Sequence, residues 1–219
     1  KVADFSWVIA GPLATRYFAT YGATVVKIES HARLDSARMG PPFIGKPSRN
    51  SSAMFVNGSP SKLSFGLNLG VPESREIAKR LATWADVVVE NFSVGQMAEW
   101  GLDYESLRAA NPRLVMLSSS QQGQKGPHAP HPGLGNLLQG LAGIHHLTGW
   151  PDRGPRGPKL PLPDVIAPPF TVIAILAALD YRDRTGTGQY LDLSQLEVSL
   201  QGLGPQILDF EVNRRDGHR

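Results

Sequence analysis

Short apolar runs alternate with amphipathic stretches along this chain, which is the pattern of strands joined by helices. The stripe of Ile77, Leu81 and Trp84, for example, has the i, i+4, i+7 spacing of a buried helical face. A helix between two strands is the usual crossover of a parallel sheet. The sequence therefore predicts an α/β fold with a doubly wound, Rossmann-like, mostly parallel sheet. The predicted strands are residues 2–9, 24–29, 86–90, 114–118 and 189–193, and the predicted helices are residues 13–21, 72–84, 104–110, 136–147 and 170–182.

Three long segments rich in Gly and Pro interrupt this alternation, at residues 31–66, 119–135 and 148–163. Their composition predicts loops. The first is a long excursion, and such excursions in a compact domain are more often functional than idle. No internal repeat of a solenoid or propeller occurs, so a single architecture is predicted.

Composition narrows the classes of function. The 219 residues are 41% hydrophobic, enough for a sizeable core, and 22 basic against 19 acidic residues give a net charge of +3. The basic residues are dispersed, which argues against a nucleic-acid partner. No cysteine occurs, so disulfides, thiolate metal sites and Cys nucleophiles are excluded, and a cytoplasmic location is expected. The longest apolar stretch, residues 170–179, is about half of a bilayer span, so no membrane association is expected.

Two common kinds of site are disfavoured by what their motifs lack. The first predicted βα turn carries only Gly11 in place of the three glycines of a dinucleotide fingerprint, and Pro12 follows it, so NAD and FAD are not expected. Four histidines have no partner at metal-ligand spacing, so no metal site is expected. They are His128, His131, His145 and His146.

Two nucleophile candidates stand out. The triplet Ser118-Ser119-Ser120 lacks the G-x-S-x-G elbow of serine hydrolases, and hydroxyls that cap a loop explain it better. Asp164 stands between Pro163 and Val165, ahead of an apolar helix, where a helix amino terminus favours an anion. The residues alone leave Asp164 as either a helix cap or a reactive carboxylate, and local physics favours the cap.

Ordered sequence blocks point further. They are Asp4-Phe5, Ala10-Gly11-Pro12, residues 22–29, residues 85–92 with Gly95, residues 101–104, residues 111–114, the I-L-A-A-L block at 175–179, and residues 184–189. Together they resemble the family III coenzyme A transferases, also called the CaiB/BaiF family, along nearly the whole chain. In that family an aspartate lies fifteen residues before the last Leu of the I-L-A-A-L block, and Asp164 and Leu179 reproduce this interval without a gap.

The resemblance implies a covalent mechanism with Asp164 as the nucleophile. Its carboxylate would attack an acyl-CoA thioester to give an aspartyl-acyl anhydride, and the returning CoA would form an aspartyl-CoA thioester. A carboxylic acid would then take the CoA. Coenzyme A is thus expected as a substrate and not as a tightly bound cofactor. Its expected contacts at the carboxyl edge of the sheet are Val8, Ile9, Gly11, Asn91 and Phe92, with Lys62 at a phosphate.

The chain departs from the family pattern in two respects. Some relatives carry an arginine near the nucleotide where this chain has Ser30 and Glu99, which would shift phosphate contact to Arg33 or Arg38. Racemases of the family pair the aspartate with a histidine in a G-H-D block, and Gly133-Leu134-Gly135 corresponds to it here. A two-base proton shuttle would lack one partner, so 2-methylacyl-CoA racemisation is disfavoured.

The resemblance also implies a larger assembly, because known family members are longer and have a second, smaller domain. Residues 1–195 are expected to form the CoA-binding large domain, and residues 196–219 to begin a linker toward the small one. Full-length members form dimers whose subunits are interlocked, so a homodimer or heteromer is expected. A non-catalytic CoA-binding subunit or fragment that needs a partner chain remains an alternative.

Overall fold

The centre of the molecule is a six-stranded sheet in which every strand pairs in parallel with its neighbours. The computed structural model describes residues 1–218. The strands are β1 (Val2–Asp4), β2 (Val25–Glu29), β3 (Leu63–Gly66), β4 (Val87–Glu90), β5 (Val115–Ser120) and β6 (Tyr190–Ser194). Their order across the sheet is β3-β2-β1-β4-β5-β6, so the winding reverses between β1 and β4. This confirms the predicted doubly wound fold, and open α/β sheets bind ligands at the carboxyl edge of such a switch point.

Helices cover both faces of the sheet. They are α1 (Ala10–Thr20), α2 (Ala53–Gly58), α3 (Pro72–Trp84), α4 (Gln96–Glu99), α5 (Tyr104–Ala110), α6 (Gly135–Leu141), α7 (Ile144–Leu147), α8 (Leu162–Thr185), α9 (Gln195–Gln201) and α10 (Gly204–Asn213). Successive strand residues point to opposite faces, so Val87 packs with Ile175 of α8 while Val88 packs with Ala78 of α3 and Leu107 of α5. Because both faces are covered, the central strands β1, β2, β4 and β5 are buried along their whole length.

Helix α8 begins at Leu162 and not at the predicted Phe170, because Pro168 and Pro169 lie inside the helix instead of ahead of it. By length and composition alone, the helix is long and apolar enough to cross a bilayer. The apolar stretch predicted from the sequence, residues 170–179, was too short to do so. A core helix has the same properties. The residues buried at four-residue spacing, Pro163, Ala167, Thr171 and Ile175, form its sheet-facing side.

Segments predicted as loops carry more structure than their composition indicated. Residues 31–66 contain a 3₁₀ turn (Ser36–Met39), α2 and the edge strand β3.

The helix predicted at 136–147 is divided into α6 and α7 at Gly143, whose φ of +86° ends the first helix. Residues 196–219, expected to begin a linker, carry most of α9 and all of α10.

Candidate active site

A cleft of about 230 Å³ opens at the carboxyl edge of the sheet, at the switch point between β1 and β4. The loop after β1, the turn after β4, the end of β5 and the beginnings of α6, α8 and α9 contribute to its walls. Five of the residues predicted from the sequence line this cleft together, although they come from three distant parts of the chain. They are Val8, Ile9, Asn91, Phe92 and Asp164.

The carboxylate of Asp164 faces this cleft from the first turn of α8. The helix cap is Pro161, and the Asp164 side chain makes no capping hydrogen bond, so it is not the cap that local physics favoured. No hydrogen bond or ion pair engages its carboxylate within residues 1–218. Burial raises the pKa of Asp164 to about 6. An unpaired carboxylate with a raised pKa in a cleft is a candidate nucleophile or base.

Gly135, the first residue of α6, has no side chain, and the Asp164 carboxylate occupies the space where a Cβ atom would lie. A Cβ at position 135 would lie 2.5 Å from Asp164 Oδ2 and 2.8 Å from Pro161 Cβ. The chain therefore requires glycine at this position for Asp164 to keep its orientation. The sequence pattern could not indicate this contact, because Gly135 and Asp164 lie in different helices.

The loop between β1 and α1 is held by side chains from distant segments. The Asn91 amide accepts a hydrogen bond from Trp7 N and donates one to Trp7 O, both at 2.8 Å. Val8 N donates to Asp35 Oδ1 at 2.9 Å. Val8 has a φ of +71°, a strained conformation for a β-branched residue, which such contacts can maintain at a functional site.

Gly11 lies beneath the cleft surface and not in its wall. A Cβ at this position would lie 2.2 Å from Ser6 Cβ and 3.4 Å from Asn91 Cγ. Its role in the structure is the close approach of α1 to the loop after β1, and the predicted CoA contact at this residue has no exposed side chain to provide it.

Lys62 does not reach the cleft, which contradicts the predicted phosphate contact. Its side chain is 1% exposed and pairs with Asp4 Oδ2 at 2.9 Å. The same ammonium group donates to Pro12 O at 2.9 Å and to Thr15 Oγ1 at 2.7 Å. All three of its protons are therefore engaged inside the protein.

A second cavity of about 270 Å³, here called the aromatic pocket, adjoins the cleft through Phe92 and Ser93. The Phe92 ring contacts Trp7 and Trp100 edge-on, with centroids 5.5 and 5.1 Å apart. The Arg33 guanidinium also lines this pocket and lies 5.6 Å from the centroid of the Trp7 ring. Of the two arginines expected near a phosphate, only Arg33 faces it.

The other arginine, Arg38, is bound inside the protein. Its guanidinium donates to both carboxylate oxygens of Glu29, at 2.7 and 2.8 Å. The bidentate pair leaves Arg38 buried beneath β2, and it also keeps the pKa of Glu29 below its ordinary value against the opposing effect of burial.

Sequence reasoning missed polar residues at the end of β5. Ser119, Ser120 and Gln121 line the cleft, and their Ser Oγ atoms and Gln Oε1 are buried with no hydrogen-bond partner among the described residues. The serines were interpreted as loop caps because the strand was predicted to end at Ser118, whereas β5 continues to Ser120. A run of three hydroxyls at a strand end in a doubly wound fold was the available signal.

The histidines do not form a metal centre. His131 lines the cleft, and its ring is 5.5 Å from that of His128. Across residues 1–218, no group of three or more His, Cys, Asp or Glu side chains is arranged to hold a metal ion.

Comparisons with known proteins agree with this geometry. The sequence model of CoA-transferase family III matches residues 1–219. The chain is 36% identical over 218 residues to a succinate–glutarate CoA-transferase of Agrobacterium fabrum, which covers 98% of this chain and 54% of that protein. It is 35% identical over 199 residues to the beta subunit of a succinyl-CoA–L-malate CoA-transferase of Chloroflexus aurantiacus, which covers 90% of this chain and 48% of that subunit.

The fold is also similar to that of a solved structure. A CaiB/BaiF family protein from Brucella suis superimposes with a TM-score of 0.93 at 36% sequence identity, over 100% of this chain and 58% of that one. This chain spans about half the length of the curated relatives it matches.

Proposed function

The chain belongs to CoA-transferase family III, and from this we propose that it provides the nucleophile and the CoA-binding cleft of an enzyme that moves coenzyme A between an acyl-CoA and a carboxylic acid. The observation that carries the proposal is the Asp164 carboxylate, which is unpaired among the described residues and lies in the cleft with Val8, Ile9, Asn91 and Phe92.

The chemistry requires a carboxylate that is ionised but poorly solvated. With a pKa of about 6, Asp164 is mostly ionised at neutral pH. Its burial also removes part of the water that would hydrogen-bond to the carboxylate oxygens and lower their nucleophilicity. Its oxygen attacks the thioester carbon, the C–S bond breaks, and CoA leaves as the thiolate. Both the anhydride and the later aspartyl-CoA thioester are activated acyl groups, so the energy of the original thioester is conserved.

The cleft and the aromatic pocket together suit the two ends of coenzyme A. An acyl thioester bound in the cleft would lie beside Asp164, and the apolar Val8 and Ile9 side chains suit the pantetheine arm. The aromatic faces of Trp7 and Phe92 suit adenine, and Arg33 is the basic group positioned for a phosphate. Succinyl-CoA is the donor to test first, because the Chloroflexus relative is named for it.

Replacing Asp164 with alanine tests the proposal. We expect Asp164→Ala to abolish CoA transfer from succinyl-CoA and to abolish the hydroxylamine-trapped aspartyl adduct, which mass spectrometry of the digested protein would locate. The matched control is Asp180→Ala, on the same helix but exposed and, within residues 1–218, paired with Arg184. Transfer that survives in Asp164→Ala would refute the assignment.

A non-catalytic CoA-binding subunit is the second candidate, favoured by the relative that is a beta subunit. Such a subunit would bind CoA in the cleft but form no covalent adduct on its own. Isothermal titration with CoA together with the trapping experiment separates the two candidates, since binding without any adduct supports the subunit.

Racemisation of a 2-methylacyl-CoA is a third candidate, because His131 lines the same cleft as Asp164 although the G-H-D block is missing. A racemase would exchange the α-hydrogen of the acyl group with deuterated solvent. Transfer of CoA without such exchange would eliminate this candidate.

A further inference from the structure

Two buried serine hydroxyls at the end of β5 make no hydrogen bond to any described residue. Ser119 is 2% exposed and Ser120 is 8% exposed, and neither Oγ atom has a hydrogen-bond partner within residues 1–218. Buried polar groups in proteins are nearly always hydrogen-bonded, because leaving one unsatisfied destabilises the fold. Both residues line the cleft, where a bound molecule can supply the missing partner.

The alternation of strand residues separates the two serines. Val115 and Leu117 belong to the apolar cluster that packs against α8, so Ser119 is the next β5 residue on that side. Its partner in register, Leu193 of β6, belongs to the same cluster. Ser120 falls on the opposite side of the strand, together with Ser118, whose hydroxyl bonds Glu90.

The same cluster places Ser119 beside the nucleophile. Ala167 of α8 packs in the cluster with Leu117, and Asp164 is the residue one turn earlier in the helix. Ser119 lies two residues beyond Leu117, about 6.6 Å toward the carboxyl edge. Asp164 lies three residues before Ala167, about 4.5 Å toward the same edge. The two side chains therefore converge on the cleft from the strand and the helix that pack against each other.

Two other side-chain donors in this wall each have a hydrogen-bond partner. The Asn91 amide is bonded to both main-chain groups of Trp7, and Gln121 Nε2 donates to Gln195 Oε1. The remaining Gln121 Oε1 is an acceptor, which cannot stabilise a negative oxygen. On the side of the cleft that faces α8, the Ser119 hydroxyl is a donor without a partner among residues 1–218.

We infer that the Ser119 hydroxyl binds the acyl oxygen of the substrate and stabilises the oxyanion that forms when Asp164 attacks the thioester. The inference rests on the proposed transferase function. As the Asp164 oxygen bonds to the carbonyl carbon, the C=O π pair moves onto the carbonyl oxygen, which accepts the Ser119 hydrogen bond. When this pair returns, the C–S bond breaks, CoA leaves as the thiolate, and Ser119 keeps its proton throughout.

The test compares Ser119→Ala with the wild-type protein in a single-turnover reaction with succinyl-CoA, in which hydroxylamine traps the Asp164 adduct. We expect the rate constant of adduct formation at saturation to fall roughly 100-fold, as for the loss of one oxyanion donor. The half-saturating succinyl-CoA concentration should change much less than this rate constant, because the bond strengthens in the transition state. The final amount of adduct per chain should also be unchanged, which shows that the variant is folded.

Stability supplies a second readout. Since Ser119→Ala removes an unsatisfied buried hydroxyl, its melting temperature should equal or exceed that of the wild type. The matched control is Ser52→Ala, because the Ser52 hydroxyl is equally buried but donates to Gly40 O at 2.6 Å. This control should lose thermal stability and keep the wild-type rate constant.

The outcomes separate the two proposals. Adduct that forms in Ser119→Ala at the wild-type rate constant would overturn the role of Ser119 and leave the transferase proposal intact. A wild-type protein that forms no adduct would refute the transferase proposal, and the role of Ser119 with it.

Discussion

At the residue scale, Asp164 shows how burial alone can raise the pKa of a carboxyl group. Its carboxyl group has a pKa of about 6 because of burial, and no charged neighbour contributes to the shift. A paired carboxylate such as Asp4 behaves differently, because Lys62 and Lys27 outweigh its burial and hold its pKa below the ordinary value. The pKa values of the two aspartates therefore shift in opposite directions, because only Asp4 has lysine neighbours that oppose the effect of burial.

The rate of adduct formation should follow the ionisation of Asp164. Because the anion is the proposed nucleophile, we expect the single-turnover rate with succinyl-CoA to be half-maximal near pH 6 and to fall tenfold per pH unit below it. The same raised pKa makes the free energy of unfolding fall as the pH rises from about 4 to about 6, and the loss remains at higher pH. Over that range the folded state holds a proton that the unfolded chain has already released. A half-maximum near pH 4 would show that burial does not perturb the reacting group.

The residue scale is also where the sequence was least informative. The order of the blocks and one fifteen-residue interval pointed to Asp164 as the proposed nucleophile. The sequence could not show that Lys62 pairs with Asp4, because these residues lie 58 positions apart in the chain. The unpaired state of Ser119 depends likewise on the strand register. Periodicity reports which face a residue occupies, but it does not report which polar partner it meets there.

At the scale of elements, the pattern predicted the long helices and central strands because both have strong apolar periodicity. It failed at β3, whose residues 63–66 are all exposed at the sheet edge and therefore lack a buried pattern. It also failed at the start of α8, where Pro168 and Pro169 were interpreted as helix breakers. The error at α8 matters most, because the extra turns carry Asp164 into the cleft.

The beginning of α6 controls the geometry of the site through Gly135. A methyl group there would overlap the Asp164 carboxylate, so Gly135→Ala should turn the carboxylate away and lower the rate of adduct formation roughly 100-fold. The control is Gly140→Ala in the same helix, where the added Cβ would lie 3.7 Å from His145 Nδ1, an ordinary contact. It should keep the rate and gain up to about 1 kcal/mol of stability. Equal rates in the two variants would contradict the predicted overlap.

At the scale of the whole molecule, three buried ion pairs beneath the carboxyl edge connect the first three strands to the site. They join Lys62 to Asp4, Lys27 to Asp35, and Arg38 to Glu29. Asp35 also accepts the hydrogen bond from Val8 N, so the network supports the strained loop of the cleft. The buried charges therefore serve the architecture of the site and not the binding of phosphate.

Replacing Lys62 distinguishes these two roles. Lys62→Met keeps most of the side-chain volume but leaves Asp4 buried beside one fewer cation, so the free energy of unfolding at pH 7 should fall by about 3–5 kcal/mol. Without Lys62, the largest influence that lowers the pKa of Asp4 against burial is lost, so this pKa rises and the carboxyl group is neutralised at a higher pH than in the wild type. The loss of stability, measured by urea unfolding, should therefore shrink between pH 7 and pH 4, and the exposed Lys46→Met control should show little loss at either pH. A phosphate contact predicts the opposite result, an unchanged stability with a higher half-saturating concentration of succinyl-CoA.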